Sequence, residues 1–218
     1  LFAARAARIR PGRDEKILTA WNALTIAGMA RAARIFERPA WLASARRALD
    51  HLRTTLWRDG RLLATSKDGR AHLDAYLDDY AFLLAALLEV MQCEFQRADL
   101  DWAVELAEAL LGRFEDRRSG GFFFTAHDHE TLIHRPKPGF DNATPAGNGV
   151  AATALQRLGH LLGETRYLES ARRTLLLFQP QLQRQPQAGA LLEALAEALT
   201  PPSLVFVRGP PDAVRDWR

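Results

Sequence analysis

Three short stretches of the sequence, residues 13–22, 74–80 and 140–148, combine carboxylates, amides and aromatic rings. Their candidate functional residues are Lys16, Trp21, Asn22, Asp78, Asp79, Tyr80, Asp141, Thr144 and Asn148. Such groups are suited to sugars, because aromatic rings stack on C–H surfaces while polar groups bind hydroxyls. Two carboxylates about 5–9.5 Å apart can also perform acid–base chemistry on a glycosidic bond. The stretches therefore favour a carbohydrate site.

Within this set we predict Asp78, Asp79 and Asp141 as the catalytic acid/base carboxylates. The predicted stacking surfaces are Trp21, Tyr80 and Phe124, and the predicted polar contacts are Lys16, Asn22, Thr144, Asn148 and His129. Either His129 or His134 could act as a proton shuttle, because His titrates near neutrality. A structural interpretation is available for each, because Asp and Thr commonly cap helices. We favour function for the set, since one carboxylate suffices to cap a helix, whereas three, Asp74, Asp78 and Asp79, crowd one helix start.

Other chemistries find little support in the sequence. Residues 127–130, His-Asp-His-Glu, have metal-ligand types but no helical His-x-x-x-His spacing and no third ligand at a recognised spacing. Cys93 is the one cysteine and lies in an apolar run, which is typical of a small core residue. No Gly-rich phosphate loop, Gly-x-Ser-x-Gly motif or Cys-x-x-Cys pair occurs. We predict neither a metal nor a cofactor.

The composition indicates a soluble globular protein. The 218 residues are 48% hydrophobic and 25% charged, with a net charge of +3. Acidic and basic residues are interspersed, so the one-sided basic stripe of a nucleic-acid-binding protein is missing. No apolar run approaches the roughly 20 residues of a membrane helix. The single cysteine fits a reducing compartment, and we predict a cytoplasmic protein without nucleic-acid or membrane partners.

A repeat organises the elements that carry these residues. Three similar amphipathic segments begin at Trp41, Trp102 and Tyr167, and a more apolar segment precedes each of them. The predicted inner helices are 18–35, 79–91 and 146–162, the outer helices are 40–56, 100–114 and 166–179, and a seventh helix is 188–199. These repeated αα-hairpins predict an all-α fold that forms about half of an (α/α)6 toroid.

Short β-ribbons are expected in the loops of this toroid. Residues 61–65 follow an Asp-Gly turn signal, and residues 122–125 are predicted to pair with 131–133. Residues 203–207 are predicted as a strand, followed by a Pro-rich tail. The chain then divides into a partial toroid of three hairpins plus one helix over 1–200, and a strand and tail over 201–218.

The toroid prediction brings the polar stretches together. Inner helices of a ring run parallel to one another, so their N-terminal ends gather at one end of the central hole. Each of the three polar stretches lies at or just before the start of a predicted inner helix. We therefore predict one funnel lined by carboxylates, amides and aromatic rings.

Several motifs resemble a known family. They are residues 13–24 (RDEKILTAWNAL), 77–82 (LDDYAF), 120–125 (GGFFFT), 135–137 (RPK) and 141–148 (DNATPAGN). In this order they resemble the C-terminal region of the YyaL / spermatogenesis-associated protein 20 family. That family combines a thioredoxin-like domain with a helical domain similar to the six-hairpin toroids of glycosidases and of N-acylglucosamine 2-epimerase.

The resemblance implies a carbohydrate-related role of glycosidase-like or epimerase-like type. It does not carry over a redox activity, because the thioredoxin-like domain and the upstream half of the toroid are missing from this chain. The similar epimerases use pairs of His bases, which the predicted inner helices do not supply. The alternative is a non-catalytic helical scaffold or interaction domain that serves the missing N-terminal domains.

An incomplete ring also predicts open edges. The helices at 18–35 and 146–162 each lie at a broken edge unless the seventh helix covers one of them. Leu24, Ile26, Val150 and Leu155 would then face solvent over a larger area than a monomer usually exposes. We predict that the chain self-associates through its open edge or occurs with a partner that fills it.

Overall fold

The fold was examined in a computed structural model that describes residues 1–184, 188–201, 203–207 and 209–210. Helices dominate it, as predicted. Their bounds in chain order are α1 (Phe2–Ala6), α2 (Thr19–Ile35), α3 (Pro39–Leu56), α4 (Leu77–Cys93), α5 (Arg97–Ala109), α6 (Gly147–Leu162), α7 (Thr165–Leu182) and α8 (Gly189–Leu199). A π-helical turn, Leu110–Phe114, extends α5. The αα-hairpin prediction is confirmed, with boundaries displaced by one to three residues.

The inner helices α2 and α4 run parallel, because their corresponding ends are in contact. Near the two starts, the Ala20 N–H donates to Asp79 Oδ1 at 2.9 Å. Near the two far ends, Arg31 Nη2 donates to Glu89 Oε1 at 2.6 Å. Bonds at both ends of the pair exclude an antiparallel arrangement.

The next inner pair, α4 and α6, is arranged in the same way. Leu77 and Asp78 at the start of α4 lie against Gly147 at the start of α6. Further along, Arg157 Nη1 of α6 lies 3.5 Å from Glu89 Oε1 of α4. Three parallel inner helices therefore place their N-terminal ends together, as the funnel requires.

The three inner helices form a row with α4 in the middle, and this position explains the composition of α4. It packs between α2 and α6, with α5 behind it. Its apolar positions are almost all buried, and the few polar residues stand near its two ends. A helix that is apolar on most sides requires neighbours on most sides.

The outer helices are joined by a buried carboxylate. Asp99 of α5 is 1% exposed and accepts hydrogen bonds from Arg46 and Arg53 of α3, the latter at 2.7 Å. Arg53 also lies over the ring of Trp102, 4.6 Å from its centroid. Paired charges are the usual form in which a carboxylate is buried.

A small antiparallel sheet fills the loop between α3 and α4. Its four strands are β1 (Ile17–Leu18), β2 (Trp57–Arg58), β3 (Arg61–Lys67) and β4 (Arg70–Asp74). The central strand β3 pairs with each of the other three. Leu18 lies opposite Thr65, and Trp57 opposite Leu62. The ribbon predicted at 61–65 is confirmed, and β4 is an addition that the Asp68-Gly69 turn explains.

The second predicted ribbon is wrong. Residues 122–125 do not pair with 131–133, and only an isolated bridge joins Phe122 to Glu115. The backbone of Phe122 instead bonds to the side chain of Asn148, and the Phe124 N–H donates to the carbonyl of Pro136 at 2.8 Å. With its hydrogen-bonding groups occupied in this way, the segment is a loop packed on α6.

The strand predicted at residues 203–207 is also wrong. These residues form no ladder with any described part of the chain, and their side chains are exposed. β-Branched composition favours a strand only where a partner strand supplies the hydrogen bonds. Residues 202, 208 and 211–218 of the predicted tail lie outside the described residues.

The solvent exposure predicted at the two broken edges is wrong for the four residues named, and self-association stays a prediction. Helix α8 packs on α6, so Leu155 is fully buried, and Ile26 is buried within the α2–α4 contact. Leu24 and Val150 are half-buried and face the concave side. The far side of α2 remains uncovered in the part of the chain that the structure describes. We call this surface the open edge and define it by Ile35 and Phe36, each 63% exposed.

Candidate functional site

Asp79 lies at the N-terminal end of the inner helices, and both of its carboxylate oxygens accept hydrogen bonds from the backbone. Its Oδ2 accepts the Tyr76 N–H and its Oδ1 accepts the Ala20 N–H, both at 2.9 Å. The side chain is buried, and this burial raises the pKa of Asp79 to about 7, with the neighbouring Asp78 charge adding to the effect. The two N–H bonds oppose the rise. Asp79 therefore caps α4 and links it to α2.

Asp141 has a comparable position at the next helix pair. Its Oδ1 accepts the Ala146 N–H at 2.9 Å, and its Oδ2 accepts the Ala190 N–H at 3.1 Å. The carboxylate thus holds the starts of α6 and α8 together. The capping interpretation is favoured for Asp141 as for Asp79, because both oxygens bind backbone N–H groups.

Asp78 differs from these two carboxylates. It is half-buried, and its Oδ1 is buried without a well-aligned hydrogen-bond donor. Burial raises the pKa of Asp78 to about 6, and the nearby N–H of Gly147 opposes the rise only in part. A carboxyl group with this pKa is partly protonated near neutrality, which is the property a general acid needs.

Aromatic rings surround the start of α4. The rings of Tyr76 and Phe124 are stacked, with centroids 5.0 Å apart and an angle of 14° between planes. The His129 ring lies 5.4 Å from that of Tyr76, and its Nδ1 is buried without a hydrogen-bond partner. Our sequence analysis included Phe124 and His129 but missed Tyr76. The available signal was its position two residues before Asp78.

The remaining exposed candidates lie around this end. Trp21 presents an indole that is 63% exposed. Lys16 is exposed and forms an ion pair with Asp14 at 3.2 Å. Thr144 is half-buried, and its carbonyl accepts the Asn142 N–H at 3.0 Å. Of these residues, Trp21 offers the largest free surface to a ligand.

Three predicted contact residues have structural roles instead. Tyr80 is 1% exposed, and its hydroxyl accepts the Leu62 N–H at 2.9 Å, so its ring cannot stack on a ligand. Asn148 is fully buried and uses its amide on the backbone of the 122–138 loop. Asn22 is half-buried and donates to the carbonyl of Leu18 at 2.8 Å.

A charged cluster on the concave face was missed by our sequence analysis. Glu89 of α4 lies between Arg31 of α2 and Arg157 of α6. The available signal was a charged residue among apolar positions in the second half of each inner helix: Arg31 and Arg34 in α2, Glu89 in α4 and Arg157 in α6. Within the described residues no three His, Cys, Asp or Glu side chains gather as a metal site. No helix in that part of the chain is both long and apolar enough to cross a membrane.

Two curated proteins are similar in sequence to nearly the whole chain. Spermatogenesis-associated protein 20 of Homo sapiens is 30% identical over 199 residues, which are 86% of this chain and 25% of that protein. The protein of the same name from Rattus norvegicus is 28% identical over 225 residues, or 98% of this chain and 28% of its own length. The chain thus spans about a quarter of these relatives. No family model matches it.

Solved structures share the fold. Cellobiose 2-epimerase from Spirochaeta thermophila superposes with a TM-score of 0.68 and 18% identity, covering 94% of this chain and 58% of that one. A GH76 α-mannanase from Bacteroides thetaiotaomicron gives 0.66 and 11%, covering 88% and 53%. An inactive α-1,6-mannanase of Salegentibacter, with two consecutive aspartates replaced and α-1,6-mannotriose bound, gives 0.60 and 15%, covering 74% and 46%. At these identities the likeness shows the fold alone, an (α/α)6 toroid.

Proposed function

Because this chain is homologous to spermatogenesis-associated protein 20 and shares the fold of toroidal sugar epimerases and mannanases, we propose that it binds or converts a carbohydrate. The site is the N-terminal end of the inner helices, around Asp78. This proposal concerns the chain itself, whose length is about a quarter of its curated relatives. We extend the same proposal to longer proteins that contain this chain, and in them we propose a thioredoxin-like domain beside it.

The observation that carries the proposal is the Asp78 carboxyl group, whose Oδ1 has no well-aligned donor, whereas both oxygens of Asp79 and of Asp141 accept backbone N–H bonds. At neutral pH a carboxyl group with a pKa of about 6 is protonated in a fraction of molecules and can donate to a glycosidic or ring oxygen. At the start of the adjacent inner helix α2, the exposed indole of Trp21 can cover a pyranose face. The consecutive pair Asp78–Asp79 also has the residue types of the pair replaced in the inactive mannanase.

In this proposal the groups have distinct roles. Asp78 donates or withdraws the proton, Trp21 stacks on the sugar, and Thr144 and His129 contact its hydroxyls. Asp79 fixes the start of α4, where Asp78 lies, and Asp141 fixes the start of α6, which Thr144 precedes. A hydrolytic reaction needs a second group to activate water. Neither Asp79 nor Asp141 is well suited to that step, because both oxygens of each already accept N–H bonds.

The test compares sugar conversion by the chain and by two matched variants. The chain is incubated with α-1,6-mannotriose or cellobiose, and the products are separated by anion-exchange chromatography and identified by mass spectrometry. We expect Asp78→Asn to abolish any conversion, because the amide cannot exchange the proton. The control is Asp50→Asn at an exposed position of α3, which should leave the rate unchanged.

Binding is measured in parallel, because a binding domain would not convert the sugars. Addition of mannotriose should change the fluorescence of Trp21, and Trp21→Ala should weaken binding at least tenfold. If neither sugar is converted and neither binds, the proposal is wrong for these substrates. Conversion that persists in Asp78→Asn would remove Asp78 from the mechanism.

A helical scaffold is the second candidate function. The capping bonds of Asp79 and Asp141 favour it, since two of three candidate carboxylates are accounted for by structure. A scaffold requires no free carboxylate at this end. It predicts that Asp78→Asn stabilises the chain, because an uncharged group replaces a buried charge, while sugar binding is undetectable before and after the substitution.

A further inference from the structure

The C-terminal ends of the inner helices form a second surface, at the opposite end of the row from Asp78. Helices α2, α4 and α6 run parallel, and α8 continues the row in the same direction. Gly149 near the start of α6 lies against Ala190 near the start of α8, and Arg157 Nε further along α6 donates to Glu197 Oε1 at 2.9 Å. The C-terminal ends of all four helices are therefore neighbours on one side of the molecule.

Each of these four ends exposes one large apolar side chain. They are Phe36 after α2, Phe95 after α4, Leu162 at the end of α6 and Leu199 at the end of α8, all between 42% and 76% exposed. We call this surface the C-terminal face and define it by these four residues. Single exposed apolar residues are ordinary, but here the row of helices sets four of them side by side. Adjacent helices pack about 8–10 Å apart, so the four side chains follow an arc about 24–30 Å long.

The apolar area of the C-terminal face is large enough for a binding surface. An aromatic side chain buries about 150–250 Å² when it is covered, so four side chains of this exposure offer roughly 400 Å². Patches of about 300–600 Å² are the largest that a monomer usually carries, and they are often functional. A standard interface buries about 800 Å² on each partner, and the polar turns around the four residues supply the remaining area.

The charges on these turns indicate the kind of partner. Each of the three turns from an inner to an outer helix carries one acidic and one basic residue: Glu37 and Arg38, Glu94 and Arg97, and Glu164 and Arg166. An anionic membrane or a nucleic acid attracts surfaces with an excess of positive charge, which these balanced turns lack. A surface with both signs can instead pair with itself. Arg97 and Arg166 also form exposed ion pairs on their own chain, which are weak enough to be exchanged.

From these features we propose that the C-terminal face binds the same face of a second copy of this chain. A two-fold axis through the middle of the arc places Phe95 against the partner's Leu162 and Phe36 against the partner's Leu199. The interface is continuous with the open edge, since Phe36 belongs to both surfaces. Asp78 lies at the other end of the helices and stays accessible in the dimer, so the proposal is independent of the function proposed above.

The experiment measures sedimentation velocity of the whole chain and of single variants. We expect a dimer at micromolar concentration, with the dimer Kd raised at least tenfold by Phe95→Glu and by Leu162→Lys, because each places a charge against an apolar side chain. Leu176→Glu is the matched control and should leave the Kd unchanged. Leu176 is an exposed leucine of the outer helix α7, more than ten residues beyond the turn that precedes this helix.

Mixing the two variants tests the two-fold arrangement itself. Phe95→Glu and Leu162→Lys, each monomeric alone, should form a one-to-one dimer when mixed, with one variant carrying a fluorescent label. The new carboxylate then lies opposite the new ammonium group, while the symmetry-related contact keeps its natural Phe and Leu. Recovery on mixing also shows that both variants are folded.

Three results would overturn the proposal. A wild-type chain that sediments as a monomer has no such interface, and its binding to phosphatidylglycerol vesicles would assign the face to a lipid surface instead. Dimerisation that is lost in Ile35→Glu but unaffected by Phe95→Glu assigns the association to the open edge alone. Single variants that dissociate and do not recover on mixing exclude the contact between Phe95 and the partner's Leu162.

Discussion

Asp78 and Asp79 are neighbours in the chain with opposite environments. Asp79 points both oxygens at backbone N–H groups of two helices, whereas Asp78 has a buried oxygen without a well-aligned donor. Burial raises the pKa of both, to about 6 for Asp78 and about 7 for Asp79. Asp79 therefore has the structural role at this site, and Asp78 is the carboxyl group available for chemistry.

Gly147 allows the close approach of Asp78 to α6. A Cβ at this position would lie 2.2 Å from Asp78 Oδ1 and 3.0 Å from Leu77 Cγ, so Gly147→Ala must displace the carboxyl group. We expect the free energy of unfolding to fall by about 1–3 kcal/mol. Gly28→Ala, which meets no atom within 4 Å, should instead gain about 0.5–1 kcal/mol as a better helix former. Urea denaturation measures both changes, and a similar gain at both sites would contradict the close approach.

The raised pKa values also predict the pH dependence of stability. In the unfolded chain both carboxyl groups titrate near pH 4, so between about pH 4 and 7 the folded chain holds more protons than the unfolded one. The free energy of unfolding contributed by Asp78 and Asp79 therefore falls as the pH rises through this window. Asp78→Asn should flatten the slope, and Asp50→Asn should not. Urea midpoints across the window give the comparison, and identical slopes in all three proteins would count against the raised pKa of Asp78.

At the scale of elements, the start of α6 organises the loop that crosses the N-terminal end. Asn148 accepts the Phe122 N–H at 2.7 Å and donates to the carbonyls of Phe122 and Pro138, each at 2.9 Å. The amide thus takes the place of a partner strand. Phe124, which stacks on Tyr76, is held two residues along the same loop.

Replacing this amide should release the loop. Asn148→Ala leaves the N–H and carbonyl of Phe122 buried without partners, and we expect a loss of about 2–5 kcal/mol in the free energy of unfolding. Asn22→Ala removes one bond to the carbonyl of Leu18 at a half-buried site, and about 0.5–1.5 kcal/mol is expected. Chemical denaturation of the pair tests the difference. Equal losses would mean that Asn148 does not hold the loop.

The same elements show what the sequence could predict. Helices were predictable because their apolar spacing is a local property of 15 or so residues, and the 61–65 strand because an Asp-Gly turn precedes it. The segments 122–125 and 203–207 have the composition of strands, but strand formation depends on a distant partner. For the first segment, the backbone of Phe122 bonds to Asn148, which is 26 residues away in the chain.

The same distinction between local patterns and distant partners applies to the candidate site. Residue types and positions at helix starts were predictable, because helix order fixes where the starts gather. Exposure was not, since it depends on packing between helices: Trp21 is free, whereas Tyr80, with similar chemistry, is covered by the sheet and the α5 extension. Glu89 was missed because a charge within an apolar helix gains meaning only when the neighbouring helices are known.

At the scale of the whole molecule, the described structure has an uncovered side at the open edge. Ile35 at the end of α2 and Phe36 directly after it expose their aliphatic carbons and ring, where a further inner helix would pack in a closed ring. A second copy of this chain offers the same surface and can cover it by two-fold symmetry. We therefore retain the prediction that the isolated chain self-associates.

Charge substitution on the open edge should reverse this association. We expect a dimer in sedimentation velocity at micromolar concentration and a monomer for Ile35→Glu, because a carboxylate cannot be buried there without a partner. Leu176→Glu is the matched control, since Leu176 is an exposed leucine of the outer helix α7. A wild-type chain that sediments as a monomer would show that the open edge is stable in water.

The position of α4 in the middle of the row has a further consequence for the order in which the molecule opens. Rows of helices that contact only their neighbours tend to open from their ends. Helix α2 has one inner neighbour and α4 has two, so α2 should fray while α4 is still packed. In hydrogen–deuterium exchange, amide protons of α4 should exchange last. Asp78 and Asp79 then stand on the most slowly opening helix, and their site survives fluctuations that detach Trp21.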